Sequence, residues 1–203
     1  MVLVMSAAPA TEARTRAVAM PPDERRAAIV KATVPLLLEH GSAVSTRQIA
    51  EAAGIAEGTI FRVFPDKQAV IAAAVEAAFE STWFEKQVEA IDRSQPMEDQ
   101  LVEATRILQR RFSVVWHLLP VAREVGVIHP GQHRPMGVEA LAALIAPYAD
   151  QLRVDPVIAA RRLRSLALAT SNPGFEPDGP VPPEELVSLL LDGIRSHSPR
   201  TTR

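Results

Sequence analysis

Residues 45–70 read STRQIAEAAGIAEGTIFRVFPDKQAV, two short helical patterns set back to back across Gly54 and Ile55. The first, RQIAEAA, is predicted to be capped by Thr46 and to turn Ile49 and Ala53 inward, one turn apart. Gly54 supplies a left-handed stop and Ile55 plugs the corner. The second, over about 57–63, puts Ile60 and Phe64 on its buried side and Gly58, Thr59 and Arg62 on the other, with Phe61 flanking them. A helix of under two turns buries too little apolar surface to account for itself, so its outer face is the better reason for it.

Outward from this stretch the chain is punctuated by Pro and Gly, and the apolar spacing between the marks is helical. Upstream, a helix opens at Pro22, where a missing N–H costs nothing, and runs to Gly41 with Val30, Val34, Leu37 and Leu38 on one face. Pro35 is expected to bend that helix without breaking it. Downstream, Asp66 is a good N-cap for a long pattern through Ile71, Val75, Ala78, Phe79 and Trp83 to about Ile91, a rod of roughly 38 Å. Further helices are predicted over about 97–117, 118–127, 134–152, 155–170 and 183–196. No period-two alternation reads as a strand, and the fold class is all-α. Residues 1–20 carry no sustained helical face and read as a mobile arm, from which Arg14 and Arg16 can reach a DNA minor groove or simply remain solvated.

The totals set bounds. At 203 residues and 47% apolar content the chain can bury a real core, and it has no cysteine, which excludes disulfides and thiolate chemistry. No apolar run approaches the ~18 residues of a membrane span, and the opening MVLVM is a poor signal peptide, so a cytoplasmic location is expected. A net charge of −2 means that any contact with a polyanion must come from a local arrangement.

The run IVKATVPLLLEHGSAVSTRQIAEAAGIAEGTIFRVFPDKQAVIAAAV closely resembles the N-terminal helix-turn-helix domain of the TetR family of bacterial transcriptional regulators. The resemblance covers about 25–79 and is anchored by Gly41, STRQIA, AAGI, GTIF and FPDK in fixed order. Beyond the arm (1–20), it implies a helix-turn-helix DNA-binding domain (21–66) and a helical effector-binding and dimerisation domain (67–203), joined by a long helix. It also implies that Thr46 and Lys67 bind phosphates, and that Arg47, Glu57, Gly58 and Thr59 lie near bases or backbone. Each residue suits such a role: Arg47 offers a planar donor fork, Gly58 allows close approach, and Lys67 is a point charge. Three positions depart from the family pattern. Ala56 replaces a capping Ser, Phe61 replaces a Tyr and loses its hydroxyl contact, and Glu57 sets a carboxylate on the DNA side, able to accept from a cytosine amino group but repelling phosphate. Arg62, at a variable position, can offset the last two.

In the remaining two thirds the resemblance implies that the last two helices form a dimer interface, here Ile158, Leu163, Leu166, Leu186, Val187, Leu190 and Ile194, so that two heads meet a palindromic operator in double-stranded DNA. Side chains available for an effector cavity are Trp83, Phe84, Met97, Leu101, Phe112, Trp116, His117 and Met136, although bulky residues at helical spacing equally make plain core. With 4% aromatics, a mostly apolar small molecule is preferred over a flat cation. His129 and His133 are separated by Pro130 and Gly131, so no metal site is expected, and neither a cofactor nor a catalytic constellation stands out. The expected function is a dimeric, sequence-specific transcriptional repressor relieved by a small molecule. A helical ligand-binding or interaction module with weakened DNA binding is the rival.

Overall fold

A computed structural model describes residues 21–80, 82–127 and 137–195. The arm with Arg14 and Arg16, the His129/His133 pair and Met136 lie outside the described residues. The described chain is helical: α1 (Pro22–His40), a 3-10 turn (Gly41–Ala43), α2 (Thr46–Ala53), α3 (Glu57–Ile60), α4 (Lys67–Phe79), α5 (Trp83–Glu89), α6 (Met97–Glu124), α7 (Val138–Ile145), a second 3-10 stretch (Ala146–Gln151), α8 (Pro156–Thr170) and α9 (Pro183–Ile194).

α1 starts with Pro22 inside its first turn and acids Asp23 and Glu24 near its positive end, and it runs unbroken through Pro35. Pro35 and Lys31 are both exposed, so the carbonyl that Pro35 cannot serve stays in reach of water. The buried stripe is Ile29, Thr33 and Leu37; of the predicted face Leu37 is buried, Val30 and Val34 are half-buried against the same cluster, and Leu38 is exposed. Thr33 can sit in the core because its hydroxyl donates to the Ile29 carbonyl at 2.8 Å.

Two hydrophobic clusters organise the fold. One packs Ile29, Leu37, Val44, Ile49, Ile60, Phe64, Val70, Ile71 and Val75 from α1–α4, together with Leu118, Val121 and Ala122 from the end of α6. The other joins Phe84 and Val88 to the first part of α6 and to α7, α8 and α9, through Leu101, Leu108, Phe112, Leu141, Leu163, Val187 and Leu191. α6 therefore runs through both clusters. Its 28 residues would span roughly 42 Å, and it is the rod that the sequence pattern assigned to 66–91. It passes Pro120 unbroken, where two helices were predicted, because Pro120 is exposed.

The 66–91 pattern is two helices. Continuing α4 would require the carbonyls of Ala78 and Phe79 to accept from the N–H groups of residues 82 and 83. They accept instead from the Arg111 guanidinium of α6, both at 2.7 Å, and the chain restarts at Trp83. Arg111 is only 6% exposed. Its burial pushes the guanidinium pKa below its ordinary value, with the Glu85 carboxylate acting in the opposite direction. Pro147 ends α7 earlier than the predicted 152. Just before α7, Gly137 has φ +77°, and a Cβ there would lie 2.1 Å from the Phe84 ring, so no other residue fits. α9 closes at Ile194, and Arg195 forms an isolated antiparallel bridge with Leu152.

Candidate nucleic-acid interface

Ser45, not Thr46, caps α2. Its hydroxyl accepts from the Gln48 N–H at 3.2 Å, and Gln48 Oε1 accepts in return from the Ser45 N–H at 2.8 Å, a reciprocal capping box. Thr46 becomes the first helical residue, which frees its side chain to face α3. Gly54, at φ +66°, turns the chain, and the Ile55 N–H reaches the Ala50 carbonyl at 3.0 Å.

α3 is short. Its N-cap is Ala56, which has no side chain to accept an N–H, and regular geometry ends at Ile60. The chain then tightens into i→i+3 turns, Arg62 N–H to the Thr59 carbonyl (3.2 Å) and Val63 N–H to the Ile60 carbonyl (3.1 Å). Ile60 and Phe64 are buried, as their spacing required. Gly58, Phe61 and Arg62 are exposed, with Phe61 at 50%. Thr59 is half-buried and turns toward α1, where it lines a cavity of about 350 Å³ with Arg25, Ala28, Ala56 and Arg62. A Cβ placed on Gly58 would meet nothing within 4 Å.

Electrostatics follow from intramolecular partners. Arg47 donates to Glu51 at 3.0 Å, an exposed i,i+4 pair, and this hydrogen bond and the Glu51 charge raise its pKa further. Thr46 Oγ1 donates to Glu57 Oε1. Lys67 Nζ donates to the carbonyls of Ser42 (3.1 Å) and Val44 (3.0 Å), fastening the start of α4 to the turn before α2, and Asp66 caps α4 through the Ala69 N–H at 2.8 Å. Four of the residues assigned to DNA, Thr46, Arg47, Glu57 and Lys67, thus already have a partner within the chain.

Sequence reasoning missed Arg26. Its Nη1 donates to the Val63 carbonyl at 3.2 Å while its guanidinium lies 4.2 Å from the Phe64 ring centroid, tying α1 to the exit of α3. The only trace in the sequence is the Arg25-Arg26 pair at the opening of α1, and nothing local connects it to Phe64. Within 45–67 the bases Arg47, Arg62 and Lys67 are balanced by Glu51, Glu57 and Asp66. Because two of those bases are also engaged internally, few phosphates can be newly neutralised. Affinity for DNA is expected to fall with salt at a log–log slope of about −4 or shallower per pair of heads, measured by titrating NaCl from 50 to 200 mM; a slope near about −8 would contradict this.

The C-terminal assignments divide. Met97, Leu101 and Phe112 are buried in the second cluster beside Phe84, and Trp116 is half-buried against it, so these residues are packing. Trp83 and His117 are exposed, with His117 Nδ1 2.7 Å from the Ser113 carbonyl oxygen. None of them lines the cavity beside Thr59 or the groove between α8 and α9. Of the seven interface residues, Leu163, Leu186, Val187, Leu190 and Ile194 are buried in the chain's own core, while Ile158 is 41% exposed and Leu166 half-buried. The regular stripes of α8 and α9 face inward, and the accessible apolar groups lie beside them: Ile158 and Val157 on α8 and Leu189, 61% exposed, on α9. A groove of about 570 Å³ runs there between Ile158, Arg161, Arg162, Leu166 and Leu189. Ile158, Leu166, Leu190 and Ile194 of the predicted set line that groove, and Leu189, an apolar residue off the stripe, joins them.

The family description "Bacterial regulatory proteins, tetR family" matches residues 29–74. A TetR transcriptional regulator from Streptomyces coelicolor is similar, with 26% identity and a TM-score of 0.55 over 85% of this chain and 99% of that one. A second tetR-family regulator from Streptomyces coelicolor (21% identity, TM-score 0.53, 86% and 80% covered) and a transcriptional regulator from Rhodococcus sp. Rha1 (14%, 0.55, 85% and 99%) share the fold. Comparison with curated proteins gives no match.

Proposed function

Because this chain belongs to the TetR family of bacterial regulatory proteins, transcriptional regulators that bind DNA through a helix-turn-helix, we propose that it acts in the cytoplasm as a homodimeric repressor of a palindromic operator. In this reading residues 21–66 bind DNA, residues 67–203 pair the chains and take up a mostly apolar effector, and residues 1–20 form an arm. α3 enters the major groove with Gly58, Phe61 and Arg62 outward, Arg47 reaches bases or backbone from α2, and Lys67 and Thr59 flank the contact. Ile158, Val157, Leu166 and Leu189 meet their symmetry mates, with Glu185 and Asp192 on the exposed side of α9 available to Arg161 and Arg162. No helix among the described residues is long and apolar enough to cross a membrane.

The observation that carries the reading is Gly58. Glycine in a helix costs about 0.5–1 kcal/mol relative to alanine, and nothing within the chain requires its lack of a side chain. Close approach of a partner would. Gly58→Ala is therefore expected to raise Tm by about 1–3 °C and to lower affinity for the DNA upstream of its own gene at least about tenfold, read by thermal melting and gel retardation. Equal affinity for the two proteins would remove the support. Retardation absent at low salt, with Arg47→Ala indistinguishable from wild type, would favour the helical ligand-binding module.

Release by effector is proposed to run through α6, which belongs to both clusters and holds the end of α4 through Arg111. Trp116 Nε1 and Glu85 Oε2 are buried without a hydrogen-bond partner, polar groups that a bound molecule can satisfy. Trp83 and His117, both exposed, are the accessible candidates for its entry, with the half-buried Trp116 beside the apolar cluster that holds Met97, Leu101 and Phe112.

A further inference from the structure

We propose that Glu57 is a base-reading side chain that selects cytosine, and that Thr46 is the residue that positions it instead of a phosphate ligand. The inference rests on the DNA-binding reading above and sharpens it to one side chain. Glu57 opens α3 and is exposed on the side that meets a polyanion, where a carboxylate is repelled unless it finds a donor. Its Oε1 accepts from the hydroxyl of Thr46 on α2, so two helices hold one carboxylate in place.

Proton counting makes the two roles of Thr46 incompatible. A threonine hydroxyl has a single proton to donate, and phosphate oxygens only accept. While Thr46 donates to Glu57 it cannot also donate to phosphate, so the complex contains one bond or the other. If the Thr46–Glu57 bond persists, Glu57 Oε2 remains available as an acceptor and nothing else.

The major groove then leaves a narrow choice. Only the cytosine N4 and adenine N6 amino groups are donors there; guanine presents N7 and O6, and thymine presents O4 and a methyl group. Beside adenine N6 lies N7, a lone pair that repels a carboxylate. Cytosine N4 has no such acceptor on its own base, so a fixed carboxylate prefers cytosine. Glutamine at the same place would carry an acceptor and a donor and would match N6 and N7 of adenine together.

The test is selection from random duplex DNA followed by gel retardation, using the full-length wild type, Glu57→Gln, Glu57→Ala, Thr46→Val and Thr46→Ser, with circular dichroism to check folding. Wild type is expected to require cytosine at one position of each half-site, with about tenfold or greater loss when it is replaced. Glu57→Gln is expected to move that position to adenine. Glu57→Ala is expected to lose the preference while binding unrelated DNA more tightly, because a repelling charge is gone. Thr46→Val is expected to weaken the cytosine preference and leave the other positions unchanged, and Thr46→Ser to retain it. Identical base preferences for wild type and Glu57→Gln would overturn the proposal. So would a Thr46→Val protein that loses affinity equally on all sequences with a salt slope shallower by about 1, the mark of a lost phosphate contact. Failure of wild type to enrich any sequence would overturn the DNA-binding reading itself, and this proposal with it.

Discussion

Leu189→Asp leaves the chain folded but monomeric and reduces operator affinity about a thousandfold: this is the expected result if α8 and α9 pair as proposed. Leu189 is 61% exposed, so the isolated chain gains little from it and surface substitutions of this kind change stability by about 0.5 kcal/mol or less. Across a two-fold axis the same side chain is lost twice. Two buried leucines contribute roughly 2 kcal/mol each, or about 4 kcal/mol together, which is near a thousandfold in the association constant. Two carboxylates brought together in an apolar groove would add to the loss. The contrast variant is Leu190→Asp. Leu190 is 4% exposed, and a charge there is buried without a partner, so this protein is expected to lose cooperative unfolding altogether. Sedimentation, melting and gel retardation on both variants check the pair of outcomes; a dimeric Leu189→Asp protein that binds like wild type would place the interface elsewhere.

Arg111→Met is expected to cost about 2–3 kcal/mol and to lower Tm by roughly 5–10 °C. The Arg111 guanidinium satisfies the Ala78 and Phe79 carbonyls at 2.7 Å each, and charge-assisted bonds of this kind contribute about 1.5–3 kcal/mol. Relief from burying a cation offsets part of the loss. The neighbouring Glu85 carboxylate, one oxygen of which is already buried without a hydrogen-bond partner, would lose the charge that compensates it. Arg111→Lys is expected to fall between the two, since a single ammonium cannot reproduce the planar fork. Amide exchange at the end of α4 should rise in step with the loss of Tm. A melting curve unchanged in Arg111→Met would mean that α4 ends for another reason.

Arg111 also explains which parts of the fold were legible in the sequence. Gly41, Gly54 and Asp66 punctuate the helix-turn-helix locally, and Ile60 and Phe64 announce their buried side at a four-residue spacing. Nothing local announces that α4 stops at Phe79, because the competing donor is on α6, more than thirty residues away. The centre of the α1 stripe lies nearer Ile29 and Thr33 than Val30 and Val34, because Thr33, polar by type, is made tolerable in the core by its own helix. α6 was divided between His117 and Leu118, ahead of Pro120, where the helix passes from one cluster to the other.

The candidate sites follow the same logic. Helical spacing gave Gly58, Thr59 and Arg62 as the outward set with Phe61 flanking; Gly58, Phe61 and Arg62 are exposed, while Thr59 turns toward α1. The internal partners of Thr46, Arg47 and Lys67 and the Arg26–Phe64 stack depend on how the helices meet. On α8 and α9 the strongest apolar pattern lies in the chain's own core, as strong patterns generally do, and the proposed interface draws on the accessible residues beside it.

The claim that α3 of two paired chains reads DNA is tested most directly by hydroxyl-radical footprinting of the wild-type chain on the DNA upstream of its own gene. Two protected segments on one face of the duplex, centred about one helical turn or roughly 34 Å apart and lost together in Leu189→Asp, are the expected result. Uniform cleavage at low salt, unchanged between wild type and Arg47→Ala, would contradict it.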